Sequence, residues 1–413
     1  MREFFNMSCG QAELVEASKA SLGRDIIPIY SPTFWNMEEE ALALLKKNMK
    51  TANDMIIVFG TGTSGIEATL NSILEPGDHF LVGHNGMFGE IMRIMVETVG
   101  GIPVVVKAPL GSPIDPAAIE KQLDADPSIV GIGVVHGETS VGVANPLAPI
   151  GRIARERDLL LVVDAISSFG SEHLDVDAWN IDLCVVNGQK CLGAPQGNTF
   201  VSVSPRAWKT MESRKTRIRG FYMNLLGCRD YLDMARVEQA NWEAGANVHQ
   251  FTLREAPHPA SPSFVILKGV WESLRALEQE GLEPYIRRHQ IAGKAVRAAV
   301  QAMGLETMCK DERFADNAVT AILLPAGIED FQLRRHLFET YHVILGDANM
   351  LSWDQYTEQI GRQYVRLGTM GEAARRNKVL YGLFALGSAL RDLGASIDVT
   401  AGIQAATSEY QEA

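Results

Sequence analysis

With 413 residues, 46% of them hydrophobic and 21% charged, the chain has the make-up of a soluble globular protein, large enough for one large and one smaller domain. Its net charge of −12, without a long basic tract, argues against nucleic acid or an anionic membrane as the main partner. The five cysteines form no CxxC pair, Met1 to Met7 lacks the apolar run of a signal peptide, and no stretch of ~18 apolar residues marks a membrane span, so a reduced, cytoplasmic protein is expected.

Residues 1–35 look irregular, with Pro28, Pro32 and an aromatic cluster of Tyr30, Phe34 and Trp35. Met37 to Asn48 reads as an amphipathic helix. Met55 to Phe59 is a strand, and the turn Gly60-Thr-Gly-Thr-Ser-Gly65 leads from it into a helix that Pro76 and Gly77 have closed. The pattern then repeats. His79 to Val82 is a strand and Phe88 to Thr98 a helix; Pro103 to Lys107 is a strand, and Asp115-Pro116 caps the helix through Leu123. Val130 to Val135, Leu159 to Val163 and Leu183 to Val186 are further strands, with Pro149 to Glu156 a helix between the first two. Strand and helix alternating at this spacing predict a mostly parallel sheet covered on both faces.

The character changes beyond about Pro205. Long helices are expected over Phe264 to Glu280, Ala292 to Met303, Asp330 to Tyr341 and Lys378 to Leu393, with strands at Ala318 to Leu324 and Tyr364 to Leu367. The division is an N-terminal arm over residues 1–20, a large domain over 21–283 and a small α+β domain over 284–413, with residues 400–413 frayed.

The chemistry gathers where the strands end. In an open α/β sheet, ligands bind outside the carboxyl ends of the strands. Asp164 closes one apolar run, and Lys190 follows another 26 residues later. A buried acid needs a basic partner or a cofactor nitrogen, and a partly desolvated lysine can act as a nucleophile. Pyridoxal phosphate needs that pair: an amine to bond its carbonyl carbon and a carboxylate for its ring nitrogen. The turn Gly60-x-Gly62-x-x-Gly65 matches a dinucleotide fingerprint literally, yet the next strand runs into Val82-Gly83-His84-Asn85, with no acid for a ribose. Hydroxyls at Thr61, Thr63 and Ser64 beside a helix N-terminus suit a single phosphate monoester. Phe88 is either core or a cover for a flat ring. His136 to Ser140 is either a capping network or a hydroxyl placed against a cofactor or substrate oxygen. Arg366, among apolar neighbours in a strand, either grips a carboxylate or makes a structural ion pair.

The stretches GTGTSGIEA, LEPGDHFLVGHNGMFGE, HGETSVGVANPL, LLLVVDAISSFG and VNGQKCLGAPQG follow in an order and spacing that resembles the class V aminotransferases, with closest likeness to alanine–glyoxylate and serine–glyoxylate aminotransferases. The resemblance runs from about Ser8 to Leu393 and implies an α/β fold of type I among pyridoxal-phosphate enzymes. That means a large domain with a mostly parallel seven-stranded sheet between helices, and a smaller C-terminal α+β domain. It implies a homodimer with shared active sites, acting on a small amino acid and a 2-oxo acid. It implies Lys190 as the Schiff-base lysine with Gln189 beside it on the phosphate, Asp164 on the ring nitrogen, Ile166 under the ring and Phe88 over it. Thr61, Gly62 and Thr63 fall at the phosphate loop, Ser140 near the ring hydroxyl, and Ser261 on the segment reaching a second chain's phosphate. Gly10 and Arg366 fall on the substrate side. The sequence departs from the family at Ser8-Cys9-Gly10-Gln11, at Pro257 to Pro262 and over Asp347 to Gln363, all where substrates bind. A pyridoxal-phosphate lyase or desulfurase of the same fold, and a nicotinamide oxidoreductase resting on the glycine turn, are the alternatives. No metal is expected.

Overall fold

The computed structural model describes residues 4–28, 31–246, 263–348 and 362–412. Its centre is a sheet of seven strands, labelled here in chain order: β1 (Asp54–Gly60), β2 (His79–His84), β3 (Ile102–Lys107), β4 (Ile129–Val135), β5 (Leu160–Asp164), β6 (Leu183–Asn187) and β7 (Gly197–Val203). They lie in the order β1-β7-β6-β5-β4-β2-β3. Strands β2 to β6 pair in parallel, and β7 runs antiparallel between β6 and β1. Every residue of β5 and β6 is buried, as expected of strands covered on both faces. Helices cover the sheet because their apolar faces have nowhere else to go. Gly151 shows how closely one of them packs: a Cβ there would lie 1.7 Å from the carbonyl oxygen of Trp179.

A second apolar cluster joins the helix Leu282–Ala302, the strands Val319–Leu323 and Tyr364–Gly368, and the helix Arg376–Asp392. The helix Leu282–Ala302 spans the two cores, with Tyr285 in the first and Ala292 to Val300 in the second. The N-terminal segment belongs with the second. Phe5–Met7 pairs in parallel with Val343–Leu345, and Met7 is buried in that core.

The start and end of the chain differ from the sequence reading. Residues 1–35 are not wholly irregular. Besides the strand Phe5–Met7 there is a helix at Glu16–Leu22, and the next helix begins at Pro32 rather than Met37. Ser31 caps it by accepting the Phe34 N–H, and Pro32 takes the first helical position, where its missing N–H costs nothing. Residues 399–412 are not frayed but form a helix, anchored by buried Val399, Gly402 and Ala406. A further helix, Leu225–Glu243, starts where Asn224 accepts two backbone N–H groups. No described helix is long and apolar enough to cross a membrane.

Candidate active site

The carboxyl ends of β1, β2, β5 and β6 open onto a cleft of about 380 Å³. It is lined by Thr61, Gly62 and Thr63 after β1, Phe88 after β2, Asp164 and Ile166 after β5, and Gln189 and Lys190 after β6. Gly10 and Gln11 of the N-terminal segment complete it. The side chains expected to act together, drawn from separate stretches of sequence, are thus gathered in one place.

Asp164 ends β5 beside β6, with Asp164 opposite Val185. Its Oδ1 accepts the Ile166 N–H at 3.0 Å. Burial pushes its pKa up to about 7, against the pull of that N–H; Glu138 pushes the same way and Lys190 opposes. The carboxylate is therefore short of positive charge. Lys190 leaves β6 through a turn set by Asn187, whose side chain accepts the Gln189 N–H and donates to Thr199 Oγ1 at 2.6 Å. Burial lowers the Lys190 pKa, and the nearby Arg366 guanidinium adds to this. Lys190 Nζ donates to the Cys9 carbonyl at 2.5 Å. The N-terminal segment is held there by the Ala12 N–H on the Gln189 carbonyl and the Val15 N–H on the Gly193 carbonyl, both at 2.8 Å.

The helix Gly62–Ile73 points its N-terminus at the cleft, and its cap residue Thr61 makes no side-chain bond to it. Gly62 makes room for Ile166: a Cβ would sit 2.4 Å from Ile166 Cδ1, and that side chain would have to move. Gln189 Oε1 is buried without a hydrogen-bond partner. A helix N-terminus beside hydroxyls, a carboxylate short of positive charge and a lysine of lowered pKa together fit pyridoxal phosphate.

Other expected residues lie differently. Ser140 is fully buried and does not line the cleft. Its hydroxyl donates to Glu138 Oε1 at 2.5 Å and accepts the Met87 N–H at 3.0 Å, so the capping network is what this stretch forms. Arg366 is buried in Tyr364–Gly368 and does not line the cleft either. Its Nε donates to the Asp347 carbonyl at 2.8 Å, its Nη1 to the Thr139 carbonyl at 3.3 Å, and its Nη2 lies 3.4 Å from Asp347 Oδ1. Arg362 turns to Glu306, 2.7 Å away, and offers no second grip on a substrate. Ser261 lies outside the described residues. Cys191 is buried, its thiol donates to the Ser167 carbonyl at 3.0 Å, and burial pushes its pKa up to about 12, which unsuits it to the nucleophilic role of a desulfurase cysteine. Sequence reasoning missed Gln196, whose side chain accepts from Gln11 at the cleft mouth, and Met92 and Met95 in the wall. Glutamine and methionine carry no motif, and only the tertiary fold brings them here.

The model of the class-V aminotransferase family matches residues 31–247. An uncharacterized aminotransferase of Methanocaldococcus jannaschii is 30% identical over 87% of this chain and 85% of its own length. A pyridoxamine–pyruvate transaminase of Mesorhizobium japonicum is 29% identical over 93% of this chain and 91% of its own. The solved ureidoglycine–glyoxylate aminotransferase of Bacillus subtilis superposes with a TM-score of 0.88 at 26% identity, covering 100% of this chain and 99% of that one.

Proposed function

Since the chain belongs to the class-V aminotransferase family and uses pyridoxal phosphate, we propose that it moves the amino group of a small α-amino acid, alanine- or serine-like, to a 2-oxo acid such as glyoxylate or pyruvate. The observation that carries this reading is the convergence of Lys190, Asp164 and the helix N-terminus at Gly62 on one cleft. Bound there, pyridoxal phosphate supplies an electrophilic carbon for amines and a ring that takes up negative charge. Lys190 would hold the cofactor at that carbon, and its freed Nζ would take the substrate's α-proton and deliver it to the cofactor carbon rather than back to the substrate, which its lowered pKa favours. Asp164 holds a proton at the ring nitrogen. The backbone N–H groups of Gly62 and Thr63, the Thr61 hydroxyl and Gln189 hold the phosphate, and Phe88 and Ile166 hold the ring. Gly10 and Arg366 serve the substrate, with Asp347 yielding Arg366 to its carboxylate.

Two copies of the chain share their active sites. Five unpaired, buried cysteines support a reducing compartment such as the cytoplasm.

The test has two parts. Alanine, serine, aspartate and glutamate are offered as donors against glyoxylate, pyruvate and 2-oxoglutarate, with turnover expected from the small donors. Borohydride reduction should then fix the cofactor to Lys190, and Lys190→Ala should abolish both turnover and fixation while leaving the fold intact. A cofactor still fixed in that variant would transfer the role to another lysine.

A further inference from the structure

Glu138 is a fully buried carboxylate that the reaction as described does not use. Its Oε2 accepts the N–H groups of Phe88 and Gly89, at 2.9 and 3.1 Å. Its Oε1 accepts the N–H and hydroxyl of Ser140, at 3.1 and 2.5 Å. With Ser140 Oγ accepting the Met87 N–H, the pair binds three successive backbone donors of the first turn of Met87–Thr98, donors that helix geometry leaves unpaired. The cap residue Gly86 makes no side-chain bond, and a Cβ on it would lie 2.4 Å from both Glu138 Cγ and Ser140 Oγ. The seat is thus built around this carboxylate. Burial is the largest influence on Glu138 and pushes its pKa up; three of its four partners can only donate, and it lies at the positive end of a helix, both of which pull the other way, towards the ionised form.

Phe88, whose backbone Glu138 grips, lines the cleft together with Asp164. The N–H of His136, two residues before Glu138, donates to the Asp164 carbonyl at 2.8 Å, so the charges of Glu138 and Lys190 both act on the Asp164 carboxyl. The cations near this group are Lys190, committed to the cofactor, and Arg366, whose Nη1 donates to the Thr139 carbonyl next to Glu138 and whose Nε donates to the Asp347 carbonyl. In its ionised form Glu138 is a second negative charge acting on Asp164 and makes the site more receptive to a proton.

We propose that Glu138 is a positioning residue for the cofactor, fixing Phe88 over the ring and, by its charge, favouring the protonated form of the bound cofactor. This rests on the reading that the ring lies between Phe88 and Asp164.

The experiment compares Glu138→Gln, which keeps the length and removes the charge, with Glu138→Asp, which keeps the charge and shortens the reach to Phe88 and Gly89. Each purified holoenzyme is titrated with acid and base while the visible absorbance of bound cofactor is followed, and pyridoxal phosphate affinity is measured on the stripped protein. Glu138→Gln should lower the pH midpoint of the visible band by about 0.5 unit or more. Glu138→Asp should leave the midpoint within about 0.2 unit of wild type but weaken cofactor binding roughly fivefold or more. An unchanged midpoint in Glu138→Gln, or an equal drop in Glu138→Asp, would overturn the proposal. If Glu138→Gln does not fold, Glu138→Asp decides alone, and wild-type affinity in it refutes the positioning role. A wild-type protein with no visible band, or a band that survives Lys190→Ala, would instead bring down the reading of the cleft itself.

Discussion

Asp164→Asn should stabilise the cofactor-free protein while crippling the loaded enzyme. In the folded, empty protein burial raises the Asp164 pKa from 3.8 to about 7. A folded pKa above the unfolded one favours folding at low pH, and that advantage is lost as pH rises from about 4 towards 7. The shift of about 3 units is worth at most about 4 kcal/mol above pH 7. The variant has no charge to bury, and its amide oxygen can still accept the Ile166 N–H. Other buried acids with raised pKa, such as Glu38 and Glu172, are common to both proteins, so the difference between their stabilities isolates Asp164. Urea unfolding of the cofactor-free proteins at fixed ionic strength should show the variant's advantage widening by about 2.5 kcal/mol between pH 5 and pH 8. With pyridoxal phosphate bound the order reverses. The carboxylate gains a protonated ring nitrogen as partner, and losing it should cut turnover roughly 100-fold or more. Parallel stability curves for the two cofactor-free proteins would refute the argument.

Arg366→Lys should raise KM for both donor and acceptor about tenfold or more, because an ammonium cannot make the parallel pair of bonds that a guanidinium offers a carboxylate. Cofactor affinity should move far less; unchanged KM values, or a best substrate without a carboxylate, would remove Arg366 from substrate binding. Gly151→Ala should destabilise the fold by about 2–3 kcal/mol, since the new Cβ would press on the Trp179 carbonyl in backbone, not on a yielding side-chain tip. Denaturant melts check this, and wild-type stability would show that the helix Leu147–Glu156 shifts freely.

The parallel strands and their polar ends were legible because each is a local pattern, a short apolar run stopping at Asp164, His84 or Lys190. What the residues at those ends bond to was less legible. Ser140 carries a hydroxyl suited to a ligand, but Glu138 two residues earlier claims it, a choice visible only once the helix at Met87 is in place. Arg366 was expected to await a carboxylate, and the chain itself supplies Asp347. The strand β7 owes its identity to pairing with distant β1, beyond the reach of local periodicity. The last helix was hidden by its sequence, VTAGIQAATSEYQE, whose small and polar residues give a weak apolar stripe; it holds because Gly402 lets it lie close to Met303.

The pairing of Phe5–Met7 with Val343–Leu345 sets an order on synthesis. The carbonyl that receives the Lys190 amine belongs to Cys9, two residues beyond that strand. A chain still growing on the ribosome has Lys190 and Asp164 in hand long before residue 343 exists. Until then the first strand has no edge to join, and closing so long a loop is slow. The central sheet and the bonds of Ala12 and Val15 to it can form early, but the segment ahead of Cys9 stays unpaired until the final quarter of the polypeptide emerges. A tag or fusion ahead of Met1 would therefore act on the last step of assembly, at the lysine, although it sits at the opposite end of the message from the residues that complete the seat.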